Sequence, residues 1–230
     1  MDIHKPKPWH GGRELLKEVG TIVIGVLIAL AAEQTVEMLR WRQAVGAGRE
    51  TLHKEIAFDN GYLRDRITIA PCMDRRLSAL TALVADAAAG KPPNGPDGPR
   101  PMVPGRLTLV SAWNAEQASQ TVTHFPRDEL TKLGSYYDLL QSVRAWIEQE
   151  NDAWASLGAL GSKGPIGPQD IALLRRDLQR ARYLEYLTVI NARRELEHGR
   201  EFGVQPGPPR KDYIDHICDV PAGAPWSMGQ

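Results

Sequence analysis

The sequence predicts an all-α protein in which a membrane-anchor helix near the N-terminus continues into an antiparallel helical bundle. An uncharged, mostly apolar run extends from Val19 to Ala32. In the long segments after it, apolar residues recur at the three- and four-residue spacing of amphipathic helices. The alternation typical of a strand is confined to the short stretch RLTLV at 106–110. Alanine, leucine, arginine and glutamate, which all favour helices, dominate the central segments.

The apolar run has three interpretations. As a helix, Val19 to Ala32 would span about 21 Å, which is shorter than the hydrocarbon thickness of roughly 30 Å. Apolar residues from Leu15 to Leu39 lengthen it enough for a membrane anchor. A cleaved signal peptide is the second interpretation, because Ala29-Leu30-Ala31 has the small-residue spacing of a cleavage site. A buried helix of a soluble protein is the third.

Two features of this segment predict contacts with lipid or with another helix. Trp41 lies between Arg40 and Arg42, as an anchor at the lipid–water interface would. Four residues recur at every fourth position and share one face: Thr21, Gly25, Ala29 and Glu33. Small residues at this spacing let two membrane helices approach closely, so we expect a homo-oligomer or another membrane protein at this face. Glu33, at the membrane boundary, is either solvated or directed at that partner.

The stretch EVGTIVIGVLIALAAEQTVE, Glu18 to Glu37, resembles the N-terminal signature of a family of uncharacterised bacterial single-pass membrane proteins. The similarity is clearest over residues 17–42. It extends more loosely to CMDRRL at 72–77 and SAW at 111–113. The resemblance implies an inner-membrane anchor and an extracytoplasmic helical domain, and it implies no activity because the family has no known function. It favours the anchor over the other two interpretations.

The predicted topology places the N-terminus in the cytoplasm and the main domain in the periplasm. Basic residues are only slightly more frequent before the apolar run than after it, so the positive-inside rule gives a weak preference that agrees with the resemblance. The predicted divisions are a cytoplasmic segment 1–18, an anchor 19–39, a helical bundle 40–200 and an extended tail 201–230.

Within the bundle, proline and glycine mark the expected ends of helices. Pro71 predicts either two helices, 36–69 and 71–89, or one long kinked rod. The segment 90–106 is rich in proline and glycine and predicts a loop. Ser111 is expected to cap a helix that begins at Ala112. Further helices are expected to begin at Pro126 and Pro168, with the last one ending near Gly199. Its predicted apolar stripe is Ile171, Leu174, Leu178, Ala181, Leu187 and Ile190. Its arginines are expected to form salt bridges with the acidic helix 127–157: Arg175, Arg176, Arg180, Arg182, Arg193 and Arg194.

The chemistry of the sequence argues against several classes of protein. The 28 basic and 28 acidic residues cancel, so no charge excess points to nucleic acid. No phosphate-binding loop, nucleophile elbow or HExxH motif occurs, and we expect neither enzyme activity nor a cofactor. The segment 215–219, DHICD, has residue types that bind metals, but one local cluster supplies too few convergent ligands for a predicted metal site.

The two cysteines, Cys72 and Cys218, are predicted to form a disulfide. Bridges persist in the periplasm, where the topology places both residues. The bridge would close a loop of about 146 residues and, by chain entropy, stabilise the fold by up to about 5 kcal/mol. Two buried free thiols are the alternative, expected if the protein is cytosolic.

Three options remain open from the sequence. The preferred one is an accessory, scaffold or interaction subunit of a membrane assembly, because the anchor carries a small-residue face and no catalytic motif occurs. The alternative is an extracytoplasmic ligand-binding, sensor-like bundle that signals through a separate partner. A closed apolar pocket with convergent polar groups would favour the sensor. A soluble cytosolic helical protein is the third option.

Overall fold

The computed structural model describes residues 11–91, 103–161 and 166–218. These ranges contain five α-helices and no strand, which confirms the all-α class: α1 Gly12–Ala88, α2 Ser111–Ala118, α3 Arg127–Ser156, α4 Pro168–Arg200 and α5 Lys211–Cys218. Short 3-10 helices, Thr121–His124 and Leu157–Gly161, precede α3 and follow it. Most of the predicted loop 90–106, the first ten residues and residues 219–230 lie outside the described ranges.

The first helix continues through Pro71, where the sequence predicted either a break or a kink. α1 has 77 residues and is about 115 Å long, with Pro71 inside it. Proline removes one backbone hydrogen bond, but its ring lies on the exposed side, where water can satisfy the freed carbonyl. Ile69 and Met73 are fully buried on the other side and hold the helix against the bundle. The single-rod alternative is therefore the correct one.

The bundle consists of the second half of α1 together with α3 and α4. Arg49 bonds Glu129 and, further along both helices, Arg66 bonds Glu150, so α1 and α3 run parallel. Arg66 also bonds Glu185 of α4, whereas Gly199 lies nearer the anchor, against Asn60. The antiparallel arrangement thus holds for α4 against its two neighbours.

The parallel pair is possible because residues 103–124 lead the chain back toward the anchor between α1 and α3. The backbone N–H of Arg106 donates to Tyr62 Oη at 2.8 Å, and that of Leu109 donates to Asp59 Oδ1 at 2.8 Å. These bonds to side chains replace the ladder that a strand would need, so residues 106–110 form no strand. The return path ends at Pro126, where α3 begins as predicted.

Helix α2 is capped by a distant side chain and not by its own serine. The hydroxyl of Ser111 donates to Glu55 Oε2 at 2.9 Å, and the N–H of Ala112 donates to the same oxygen at 2.8 Å. Glu55, on α1, therefore supplies the negative charge that stabilises a helix N-terminus. The predicted Ser111 cap is wrong because this carboxylate takes its place.

Two hydrophobic clusters fill the bundle. The cluster nearer the anchor contains Trp113 stacked on Tyr137, with ring centroids 4.9 Å apart, and Tyr136 packed edge-on. The second, toward the far end, contains the buried residues Ile69, Met73, Leu77, Leu80, Val84, Ala153, Trp154, Leu157, Leu174, Leu178, Ala181, Leu184 and Ile217. The two clusters together form the core that fixes the three long helices.

The predicted apolar stripe of α4 is correct only in its first half. Leu174, Leu178 and Ala181 are buried, but Ile190 is 46% exposed. Beyond Ala181 the buried face contains Leu184, Glu185, Thr188, Ala192 and Glu195. The interior there is partly polar, so a search for apolar periodicity selected the wrong side of the helix.

The C-terminal tail also differs from the expectation of an extended segment. Residues 211–218 form α5, which buries Ile217 in the second cluster and places Tyr213 and Ile214 beside it. These apolar residues give the helix one face that packs on α1. The remaining tail, 219–230, lies outside the described residues.

Candidate functional site

The first functional region is the apolar half of α1, which extends away from the bundle. Ile22, Leu27 and Ile28 are 63%, 58% and 65% exposed, and residues 21–40 are all exposed. Near the N-terminus, α1 is long and apolar enough to cross a membrane, and its most apolar window is not covered by any other part of the described chain. A core helix of a soluble protein would bury this surface, so the structure disfavours that interpretation.

The predicted packing residues lie along this uncovered half. Thr21, Gly25, Ala29 and Glu33 are exposed, and a Cβ atom added at Gly25 would meet nothing within 4 Å. The Thr21 hydroxyl donates to the carbonyl of Lys17, one turn earlier in the same helix, at 2.9 Å. The shared face is thus present in one chain, and its contact with a second helix stays a prediction.

The predicted interface anchor lies at the junction of the anchor and the bundle. The Trp41 ring stacks on His124, with centroids 3.7 Å apart, and its indole N–H donates to Glu37 at 3.4 Å. The Arg40 guanidinium lies 5.7 Å from the Trp41 centroid. Arg42 is exposed. Trp41 therefore joins the apolar part of α1 to the bundle, and its place at a lipid–water interface stays a prediction.

A buried ionic triad joins the three long helices. Arg66 of α1, fully buried, donates through Nη2 to Glu150 of α3 at 2.7 Å and also to Glu185 of α4. Burial disfavours the charge on Arg66, but the two carboxylates outweigh it and raise its pKa. Burial raises the pKa of Glu185 to about 7, against the opposing effect of Arg66.

A pair of buried acids lies between the triad and the anchor. Asp59 and Glu195 are both fully buried. Within the described residues, neither oxygen of Glu195 has a hydrogen-bond partner, nor has Oδ2 of Asp59. Burial raises the pKa of Asp59 to about 8, and burial together with Asp59 raises that of Glu195 to about 9. Burial therefore favours the protonated form of both carboxyls at neutral pH.

The predicted disulfide is present. Cys72 and Cys218 are bonded, with their Cα atoms 5.3 Å apart. The bridge attaches α5 to α1 just after Pro71, and Arg76 donates to the carbonyl of Ile217 at 2.9 Å beside it. The C-terminal segment is thus fixed to the bundle covalently and through hydrogen bonds.

The segment 215–219 does not assemble a metal site in the part of the chain that the structure describes. No group of three or more His, Cys, Asp or Glu side chains is placed to hold an ion there. Cys218 is oxidised and cannot serve as a thiolate ligand. Asp219 lies outside the described residues.

Sequence reasoning missed the buried charges. It expected the arginines of α4 to pair with the acids of α3, yet among the described ion pairs Arg182 contacts Asp74 of α1 and Arg176 contacts its neighbour Asp177. A signal was available, because Glu150 follows Ile147 by three residues and so shares its buried helix face. A charged residue at a core-facing position is a recognisable anomaly.

No protein-family model, curated protein or solved structure matches the chain. The resemblance over residues 17–42 therefore stays a prediction. The features of the chain that bear on function are an uncovered apolar helix and the folded, disulfide-linked bundle into which it continues.

Proposed function

We propose that the chain is a single-pass protein of the bacterial inner membrane. Its helical domain lies in the periplasm and acts as an accessory, scaffold or interaction subunit of a membrane assembly. The observation that carries this proposal is the exposed apolar half of α1, which needs a lipid environment and continues directly into the bundle. The disulfide between Cys72 and Cys218 supports the periplasmic side, since such bridges are rare in the cytosol.

The outer face of α4 supports an interaction role for the domain. Tyr183 and Tyr186 are each 61% exposed, and Ile190 follows on the same face. Seven exposed arginines and only two exposed acids lie on this helix: Arg175, Arg176, Arg180, Arg182, Arg193, Arg194, Arg200, Asp170 and Glu197. Exposed tyrosine and arginine are enriched at protein interfaces. The positive excess favours an acidic partner at this face over a second copy of the chain.

The distance from the membrane favours a protein as this partner. Glu185 lies at the level of Arg66, which is 27 residues beyond Leu39 on the continuous helix α1. That separation corresponds to about 40 Å along the axis. Lipid headgroups extend only roughly 5–8 Å beyond the hydrocarbon, so they cannot reach the face.

The sensor alternative has less support. It requires an enclosed apolar pocket with convergent polar groups. In the described part of the chain, a cleft beside Leu178 and a cleft beside Trp41 are both open to solvent. The centre of the bundle is filled by the Arg66 triad.

Fractionation of a tagged full-length chain tests the anchor. The protein should sediment with inner membranes and resist extraction by alkaline carbonate, and its domain should become accessible to protease only after the outer membrane is opened. Recovery in the soluble fraction would contradict the proposal, as would a domain that protease reaches only from the cytoplasmic side.

Photocrosslinking tests the interaction role. A photoreactive phenylalanine analogue at Tyr186 should give a discrete adduct in intact cells. The same analogue at Gln149, an exposed position on α3, is the matched control and should not give that adduct. Identical patterns at both positions, or purification of monomer alone in mild detergent, would count against an interaction subunit.

A further inference from the structure

A cleft of about 520 Å³ lies where the anchor enters the bundle. One wall is α1 just beyond the apolar segment, and the other is the turn that precedes α3. The lining side chains that matter are Met38, Trp41, Arg42, Val45, Arg49 and His124. The cleft thus combines apolar, aromatic and cationic groups.

We propose that this cleft binds the phosphate-bearing headgroup of an anionic phospholipid from the leaflet in which the anchor ends. The proposal rests on the proposed membrane anchoring and adds a specific ligand at the junction. A phospholipid presents a phosphate next to glycerol and acyl esters. Arg42 matches the phosphate, and Met38 and Trp41, which lie nearer the apolar segment, match the less polar part.

The depth of the cleft fits this ligand. Arg42 lies three residues beyond Leu39, about 4.5 Å further along the helix axis. The headgroup layer of one leaflet is roughly 5–8 Å thick, so Trp41 and Arg42 lie within it. Arg49 lies about 15 Å beyond Leu39, above that layer. The cleft therefore opens at the height of the lipid phosphates.

The two arginines that line the cleft differ in whether they already pair with an acidic residue. Arg49 donates to both oxygens of Glu129, at 2.6 and 2.7 Å, and is already neutralised. Arg42 is exposed and belongs to none of the ion pairs formed by the described residues. His124, held flat against Trp41, adds a ring N–H donor at the same opening. Arg42 is consequently the cation left to meet an anion.

Arg40 provides a matched control within the same turn. Arg40 is two residues before Arg42, so their Cα–Cβ bonds point about 200° apart around the helix. The Arg40 guanidinium lies 5.7 Å from the centroid of the Trp41 ring. Arg40 is exposed, at nearly the same depth as Arg42, and does not line the cleft. General attraction between basic residues and an anionic membrane would treat the two arginines alike. A specific binding site in the cleft would depend on Arg42 and not on Arg40.

The test is native mass spectrometry of the full-length chain in neutral detergent. The chain is titrated separately with dioleoylphosphatidylglycerol, with dioleoylphosphatidylcholine and with inorganic phosphate. We expect preferential binding of phosphatidylglycerol, weakened about tenfold by Arg42→Gln, as for loss of one charge-assisted hydrogen bond. Arg40→Gln should stay within about twofold of the unmodified chain. Circular dichroism confirms that both variants are folded.

Several outcomes would overturn the proposal. These are equal binding of the two lipids, equal loss in the two variants, or displacement of phosphatidylglycerol by inorganic phosphate at similar concentrations, which would identify a free anion as the ligand. If the chain still sediments with membranes but shows no lipid preference, only the headgroup site fails. Recovery of the chain in the soluble fraction would remove the proposed function itself.

Discussion

The two halves of α1 differ in whether their apolar side chains are exposed or buried. Along residues 19–39 the apolar side chains point outward and nothing in the described chain covers them. Along residues 45–84 most of the large apolar side chains are buried, with Phe58 an exception at 47% exposure, and the interior also holds Asp59 and Arg66, both fully buried. One uninterrupted helix thus passes from a surface suited to lipid to a surface suited to water.

The difference shows which information each environment leaves in the sequence. In lipid, a charged side chain raises the free energy wherever it lies on the helix. The anchor half can therefore be recognised in the sequence as an apolar run. In the bundle, a charge is tolerated inside when a partner on another helix neutralises it. The partner is remote in sequence, and so the bundle half cannot be interpreted from its own residues alone.

The largest expected effect comes from breaking the triad in the bundle half. Arg66→Leu leaves Glu150 and Glu185 buried without their cation. Removing one partner of a buried ion pair costs about 3–5 kcal/mol, so we expect a loss of that size in the free energy of unfolding. Urea denaturation of the full-length chain in detergent, followed by circular dichroism, measures it.

Two further variants sharpen this prediction. Arg194→Leu removes an exposed arginine and should change stability by less than about 0.5 kcal/mol. The triple variant Arg66→Met, Glu150→Leu, Glu185→Leu replaces the whole triad with apolar groups and should recover most of the loss. Equal effects of Arg66→Leu and Arg194→Leu would show that the triad is not buried.

The disulfide is expected to give the next largest effect. Cys218→Ser opens a loop with a sequence separation of 146 residues and should cost about 2–5 kcal/mol. α5 should detach first, because it is short and is joined to α1 by the bridge. Thiol labelling of alkylation-quenched cells should find no free thiol in the unmodified protein. Two freely labelled cysteines in folded protein would refute the bridge and weaken the periplasmic assignment.

The buried acids predict a graded dependence of stability on pH, which for each group is smaller over one pH unit than the losses above but accumulates over several units. The pKa values of Asp59 and Glu195 are raised to about 8 and about 9 in the fold, but lie near 4 in an unfolded chain. Between these values the unfolded chain binds fewer protons than the folded one. Stability should therefore fall as pH rises from about 4 to about 9, by at most about 1.4 kcal/mol per pH unit for each group. The raised pKa of Glu185 acts in the same direction up to about pH 7.

Glu195→Gln should flatten this profile, because the amide cannot titrate. Glu197 is exposed and lies about 200° around the same helix from Glu195. Glu197→Gln should therefore keep the pH profile of the unmodified chain. Denaturation midpoints measured between pH 5 and pH 9 provide the comparison. A stability that rises with pH across this range would contradict the burial of protonated carboxyls.

Much of the fold could be predicted from local signals. Pro126 and Pro168 marked the starts of α3 and α4, and the apolar run marked the exposed half of α1. Proline and long apolar runs act through their own backbone and solvation, so they are visible without knowledge of neighbours. The cysteine pair had a single possible connectivity.

The rest depended on neighbours that periodicity does not identify. The return path through residues 103–110 makes its hydrogen bonds to Asp59 and Tyr62, so no local sequence pattern predicts it. Glu55 caps α2 from 56 residues away. The buried side of α4 was misassigned beyond Ala181 because its polar members, such as Glu185, are compensated from α1.

The smallest expected effect concerns the anchor half and its predicted packing face. Gly25→Leu places a bulky side chain on the face shared with Thr21 and Ala29, where a Cβ atom at Gly25 now meets nothing within 4 Å. If a second helix packs there, the backbones are forced apart, and association should weaken by on the order of 1 kcal/mol. Leu27→Ile lies about 200° around the helix and should leave association unchanged.

A membrane two-hybrid assay on the full-length chain compares the two variants at matched expression. Loss of signal in Gly25→Leu alone would define the small-residue face as a contact and place Glu33, one turn further on, beside the partner helix. Equal signals from both variants would remove the packing idea. Glu33 would then be an acid at the edge of the membrane with access to water, and the interaction role would rest on the α4 face that contains Tyr183 and Tyr186.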